Sequence, residues 1–95
     1  MVAWFYILRL KSGGLYIGAT TELDQRYQDH LSGNACRTTK FDPPVDLVYS
    51  ETFESFTLVR KRELQVKRWS RAKKEALVAG DLTKLQRLSK SGKGR

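Results

Sequence analysis

The chain has 95 residues, 40% of them hydrophobic and 11% aromatic, with one cysteine and a formal net charge of +8. That length allows one domain with a small core, burying roughly 60–65% of the unfolded surface. A lone cysteine excludes an internal disulfide framework, and one cysteine with one histidine excludes a zinc site of ordinary composition.

Residues 2–10, "VAWFYILRL", are β-branched and aromatic and predict a strand. "KSGG" predicts a hairpin turn, and 15–19, "LYIGA", the returning strand. Thr21 is the expected cap of a helix, with Leu23, Tyr27 and Leu31 as its apolar stripe and Gly33 as its stop. Residues 33–45 are expected as a loop because Pro43 and Pro44 oppose regular structure. A third strand follows over 45–53. Ser55 caps a second helix to about Trp69, and Ser70 a third to about Ala79, ended by Gly80.

Residues 81–88 predict at most a further turn or two, and 89–95, "SKSGKGR", contain no apolar residue and are expected to be disordered. The expectation is a single domain over residues 1–82 with a basic, flexible tail over 83–95. The order β-β-α-β-α-α predicts an α+β fold, a three-stranded, mainly antiparallel sheet packed by helices. No targeting segment is expected. The longest uncharged apolar run, Val2 to Leu8, is too short to span a bilayer, so no membrane partner is expected. The single cysteine fits a reducing cytosol, and the expected location is the cytoplasm, in contact with the nucleoid.

The charge is unevenly placed. Residues 1–54 hold five Lys/Arg against seven Asp/Glu, whereas residues 55–95 hold thirteen against three. A localised positive region is the electrostatic footprint of a nucleic-acid binder. The candidate contacts are Arg60, Lys61, Lys67, Arg68, Arg71, Lys73 and Lys74 in the two later helices. In the loop "CRTTKFDPP", Arg37, Thr38, Thr39 and Lys40 are candidate phosphate contacts.

Candidate chemistry lies in four places. Tyr6 and Tyr16 sit on neighbouring strands. Arg26 and His30, the only histidine, share a helix face at i, i+4. Gly18 is expected to let the backbone turn closely between them. Glu63 is the only acid among eight Lys/Arg between 60 and 74, and it shares an inward stripe with Val59 and Val66. One inward carboxylate among cations suits a hard divalent ion that keeps several waters. Taken singly, each residue is open to a plainer reading: tyrosines as packing, Arg26 paired with Glu22 or Asp29, His30 on the surface, Glu63 paired with Lys67.

Together the order resembles the GIY-YIG nuclease family. The motifs are "WFYIL" with Tyr6, "LYIG" with Tyr16, "RYQDH" with Arg26 and His30, and "VRKRELQVKRW" with Glu63. Trp4 and Phe5 stand where the family has its first glycine and isoleucine. "ELQVKRWSRAKKEALV" is similar to a small single-domain bacterial branch, related to the Slx1-type structure-specific nucleases.

The resemblance implies a divalent-metal-dependent endonuclease acting on DNA, with RNA also open as substrate and a protein partner as a source of specificity. It implies Glu63 as ligand of one Mg²⁺ or Mn²⁺, Arg26 on the phosphoryl oxygens, Tyr16 on phosphate or water, and Tyr6 or His30 as general base. The Arg26 and metal charges would lower the Tyr6 pKa. The rival expectation is a non-catalytic nucleic-acid-binding module that keeps the fold.

Overall fold

The computed structural model describes residues 2–93. Three strands, β1 (Ala3–Leu10), β2 (Leu15–Thr20) and β3 (Pro44–Phe53), form one sheet in the order β2-β1-β3. Both pairings are antiparallel, with Tyr6 opposite Gly18 on one side and Ser50 on the other. Among the described residues there are five helices: α1 (Leu23–Leu31) and α2 (Arg37–Phe41) between β2 and β3, and α3 (Phe56–Lys67), α4 (Arg71–Ala79) and α5 (Leu82–Lys93) after β3. The α+β class and the antiparallel sheet are as the sequence predicts. Among the described residues no helix is long and apolar enough to cross a membrane.

Side chains of the central strand alternate between two faces. Ala3, Phe5 and Ile7 point to one, where with Ile17, Val59, Val66 and Leu77 they form the main core under the later helices. Tyr6, Leu8 and Leu10 point to the other and meet Tyr16, Leu23, Tyr27 and Leu47 in a smaller cluster. Cross-strand pairing puts Tyr16 opposite Leu8 and Ile17 opposite Ile7, so the hairpin register sends Tyr6 and Tyr16 to the same face. The inward side of α1 is Leu23, Tyr27 and the buried His30, whereas Leu31, expected in the stripe, is 45% exposed.

One helix appears where a loop was expected, and another runs beyond the turn or two expected of it. Residues 37–41 are helical because the prolines come after them. Pro44 is the first residue of edge strand β3, where a missing N–H breaks no ladder bond. The segment expected as a tail from residue 83 is helical to Lys93. Asp81 accepts a hydrogen bond from the Lys84 amide as a cap, and Leu85 packs on the main core. Residues 94 and 95 of that expected tail lie outside the described residues. The caps of α3 and α4 are Ser55 and Ser70, and Gly80 ends α4 at φ 73°, in the left-handed region that glycine adopts without strain.

Candidate active site

The Tyr6 phenol lies over Gly18. A Cβ at residue 18 would overlap its hydroxyl and ring carbon Cζ. Gly18 thus serves close approach in mid-strand, not the turn expected from the sequence. The Gly18→Ala change should push the phenol off its position and lower any Tyr6-dependent cleavage by about 10²-fold, the scale of a 1 Å misplacement. Stability should fall by only about 1–3 kcal/mol, the cost of local overpacking. Single-turnover cleavage beside a thermal melt checks this, and a wild-type rate in the folded variant would show that the phenol's position is immaterial.

From that position the Tyr6 hydroxyl is 2.8 Å from His30 Nε2, and His30 Nδ1 is 2.8 Å from Thr39 Oγ1. Thr39 Oγ1 is in turn 3.5 Å from Cys36 Sγ. Tyr6, His30 and Thr39 are buried, the last two at 1% and 0% exposed, while Cys36 at the end of this hydrogen-bonded chain is half-buried. The Tyr16 ring closes the site 4.9 Å from the imidazole and 6.4 Å from the Tyr6 ring.

Burial and nearby charge set the protonation states. Burial raises the Tyr6 pKa above its ordinary value, more than the Arg26 charge lowers it, so Tyr6 stays a phenol. The Arg26 charge lowers this pKa in the expected direction, but burial outweighs that one cation. Burial, with the Arg26 charge adding to it, holds His30 below its ordinary value, so the imidazole is neutral near pH 7. Tyr16 is pushed up to about 12, mainly by burial and then by its bond to Cys36.

Cys36 is also raised by burial, but hydrogen bonds from Thr39 and Tyr16 outweigh this and bring its pKa below the usual value. The Thr39 hydroxyl has one hydrogen. Given to Cys36, it leaves Oγ1 to accept from His30 Nδ1–H, so Nε2 accepts from the Tyr6 O–H; given to Nδ1, it makes Nε2–H the donor to the Tyr6 oxygen. The first tautomer is the one assigned, because it leaves Nε2 as a proton acceptor.

The Arg26 charge reaches Tyr6, Tyr16 and His30, and the Glu63 charge reaches both tyrosines. Arg26 is exposed and has no ion pair among the described residues, neither with Glu22 nor with Asp29. Glu63 is 4% exposed, and its two oxygens are held by Arg60 at 2.5 Å and Lys67 at 3.0 Å. Both cations are half-exposed, so either can swing away at little cost.

Among the described residues no three His, Cys, Asp or Glu side chains converge as a metal cage. A Mg²⁺-like ion does not need one: it takes one or two carboxylates and retains waters. A single buried carboxylate, Glu63, fits that kind of ion.

The candidate nucleic-acid contacts separate into groups. Arg37 and Lys40 line a cleft beside Cys36. Arg60 and Lys67 flank Glu63. Lys61 and Arg68 line a second cleft with Leu64, Gln65 and Trp69. Arg71 is tied to Glu75 and to the Gly13 carbonyl, and the Lys73 ammonium stands 4.4 Å from the Trp69 ring centroid. Lys74 is half-buried. Thr39 is fully buried on His30 and is not a phosphate contact. Sequence reading missed that role, and with it Cys36, because "CRTTKFDPP" reads as a loop; the only signal was two small polar side chains three residues apart, Cys36 and Thr39.

The GIY-YIG catalytic domain matches residues 2–76. The chain belongs to the GIY-YIG family. It is 38% identical over 78 residues to a UPF0213 protein of Natronomonas pharaonis, covering 82% of this chain and 92% of that one. It is 37% identical over 76 residues to one of Staphylococcus saprophyticus, covering 80% and 93%. These relatives are small GIY-YIG proteins like this chain. The solution NMR structure of a UPF0213 protein from Bacillus halodurans superposes with a TM-score of 0.56 at 38% identity, covering 85% of this chain and 86% of the other. Membership of this family implies nuclease activity on a nucleic-acid substrate, with a divalent metal ion as cofactor.

Proposed function

We propose that this GIY-YIG protein is an endonuclease that hydrolyses DNA phosphodiesters with one Mg²⁺ or Mn²⁺ held by Glu63. The observation that carries the reading is the buried Tyr6–His30–Thr39 relay beside the unpaired Arg26 and the inward Glu63. The cation, when bound, supplies Lewis-acid charge at the phosphate and the leaving 3′ oxygen.

The chain's own residues supply the rest. The Tyr6 oxygen accepts a proton from the attacking water as its own proton passes to His30 Nε2. Thr39 holds the imidazole in the accepting tautomer and hydrogen-bonds the imidazolium that forms. Arg26 lays its planar fork on the phosphoryl oxygens, and Tyr16 donates its hydroxyl to the phosphate. Arg37, Lys40 and the half-exposed cations of α3 and α4 track the backbone. The nuclease unit is residues 1–82, with 83–95 a basic adjunct and a protein partner as a further source of substrate choice. Its place of work is the cytoplasm, at the nucleoid.

A second reading has one observation in its favour. Both Glu63 oxygens are already paired with Arg60 and Lys67, an arrangement that also suits a binding module without turnover. One experiment separates the two: single-stranded, duplex and branched DNA, with RNA in parallel, incubated with Mg²⁺ or Mn²⁺ and with EDTA. Cleavage that stops with EDTA is the expected result. Tight, salt-sensitive binding without cleavage under any metal would favour the module and sink the nuclease.

A further inference from the structure

Phe41, at the end of α2, is 73% exposed, the highest value among the large apolar side chains of the described residues. It belongs to neither core cluster. It lines a cleft of about 420 Å³ with Gly33, Asn34, Cys36, Arg37 and Lys40, and the Lys40 ammonium is 5.9 Å from its ring centroid. Arg37 and Lys40 form no ion pair among the described residues. The nearby acid, Asp42, is turned to the β1–β2 hairpin, where it accepts from the Ser12 amide and hydroxyl. The exposed Phe41 ring, with the Lys40 ammonium over it and Arg37 beside it, matches a base with its phosphates: the ring stacks and the cations take the backbone.

We infer that this cleft is a stacking subsite for one unpaired nucleotide of the DNA substrate. The inference rests on the nuclease reading and gives it a substrate class: DNA with a single-stranded segment next to the scissile phosphate. Position ties the two together. Cys36 lines the cleft and also bonds Thr39, which holds His30; Phe41 and Thr39 ride on the same short helix. A base within a duplex already has both faces stacked on its neighbours. Only an unpaired base has a face to give to Phe41, so the ring discriminates by strand state without reading sequence.

The test is a binding measurement, independent of turnover. Fluorescence anisotropy in EDTA compares a blunt, fully paired duplex with the same duplex carrying a short single-stranded arm, for wild type, Phe41→Ala and Phe41→Trp. Wild type should prefer the armed DNA by about tenfold, the scale of one aromatic–base stack. Phe41→Ala should lose that preference with its duplex affinity unchanged, and Phe41→Trp should keep it. No preference in wild type, or an equal loss on both DNAs in Phe41→Ala, overturns the subsite and leaves the nuclease reading standing. No binding to either DNA by wild type overturns both.

Discussion

Glu63→Gln leaves the protein folded and lowers metal-supported cleavage by about 10³-fold or more, the several kcal/mol that a bound cation supplies to a transition state. The substitution keeps side-chain size and one carbonyl oxygen but removes the charge. Its structural cost is small, because Glu63 is paired with two half-exposed cations and such pairs contribute about 0–1 kcal/mol. Arg60 and Lys67 remain in place to meet DNA, so affinity in EDTA should hold or rise slightly as a buried negative charge disappears. The measurements are cleavage rate against Mn²⁺ concentration, a thermal melt and EDTA binding. A variant that cleaves at the wild-type rate would remove Glu63 from the chemistry.

Tyr6→Phe removes one hydroxyl and keeps the ring over Gly18. The rate should fall by about 10²–10⁴-fold, the usual contribution of general acid–base catalysis. Stability should fall by about 1–3 kcal/mol, because His30 Nε2 becomes a buried acceptor without a partner. The pH profile discriminates further. His30 is held below its ordinary value near 6.5 by burial and by Arg26, so its accepting form prevails above that lowered value. For the relay, wild-type activity rises with pH below about 6.5 and then levels. A tyrosinate base would instead keep rising well above pH 8, because burial lifts the Tyr6 pKa. Activity still climbing at pH 9 would therefore exclude His30 as the acceptor.

The same groups make folding acid-sensitive. The folded pKa of His30 lies below its unfolded value, so the unfolded chain binds the extra proton first and stability falls as pH drops below about 6.5. Glu75 is lowered to about 2, chiefly by its hydrogen bond to Arg9, and its contribution is lost as pH falls from 4.5 towards 2.

What the sequence made legible follows from where each signal resides. The positions of Tyr6, Tyr16, Arg26, His30 and Glu63 are set by strand alternation and helix spacing, both visible in one dimension. That His30 rather than Leu31 completes the inward side of α1 was not visible, because the helix ends at Leu31 and a histidine with two partners tolerates burial that spacing alone assigns to leucine. Thr39 was hidden by Pro43 and Pro44, whose reach was read backwards over a helix that ends before them. Gly18 was legible as a residue needing no Cβ, but the neighbour that demands this, Tyr6, is set by hairpin register. The Glu63 ion pairs include a plain alternative read from the sequence, Lys67 at i+4, without excluding the cation. The patch-like charge of residues 60–74 overstated the free positive surface, since Arg71 is bound within the fold and Arg62 pairs with Glu51.

The relay joins two unlike parts of the molecule. Tyr6 belongs to the central strand, hydrogen-bonded on both sides, where amide exchange is expected to require global unfolding. Thr39 belongs to a five-residue helix whose openings are expected to cost far less. The histidine's orientation is therefore only as persistent as its weaker anchor. Mild denaturant or heat that frays α2 would release the imidazole tautomer while the sheet remains intact, so activity would be lost ahead of the fold. A strand seated beside α2 would also hold that helix shut, and substrate binding would then steady the base that acts on it.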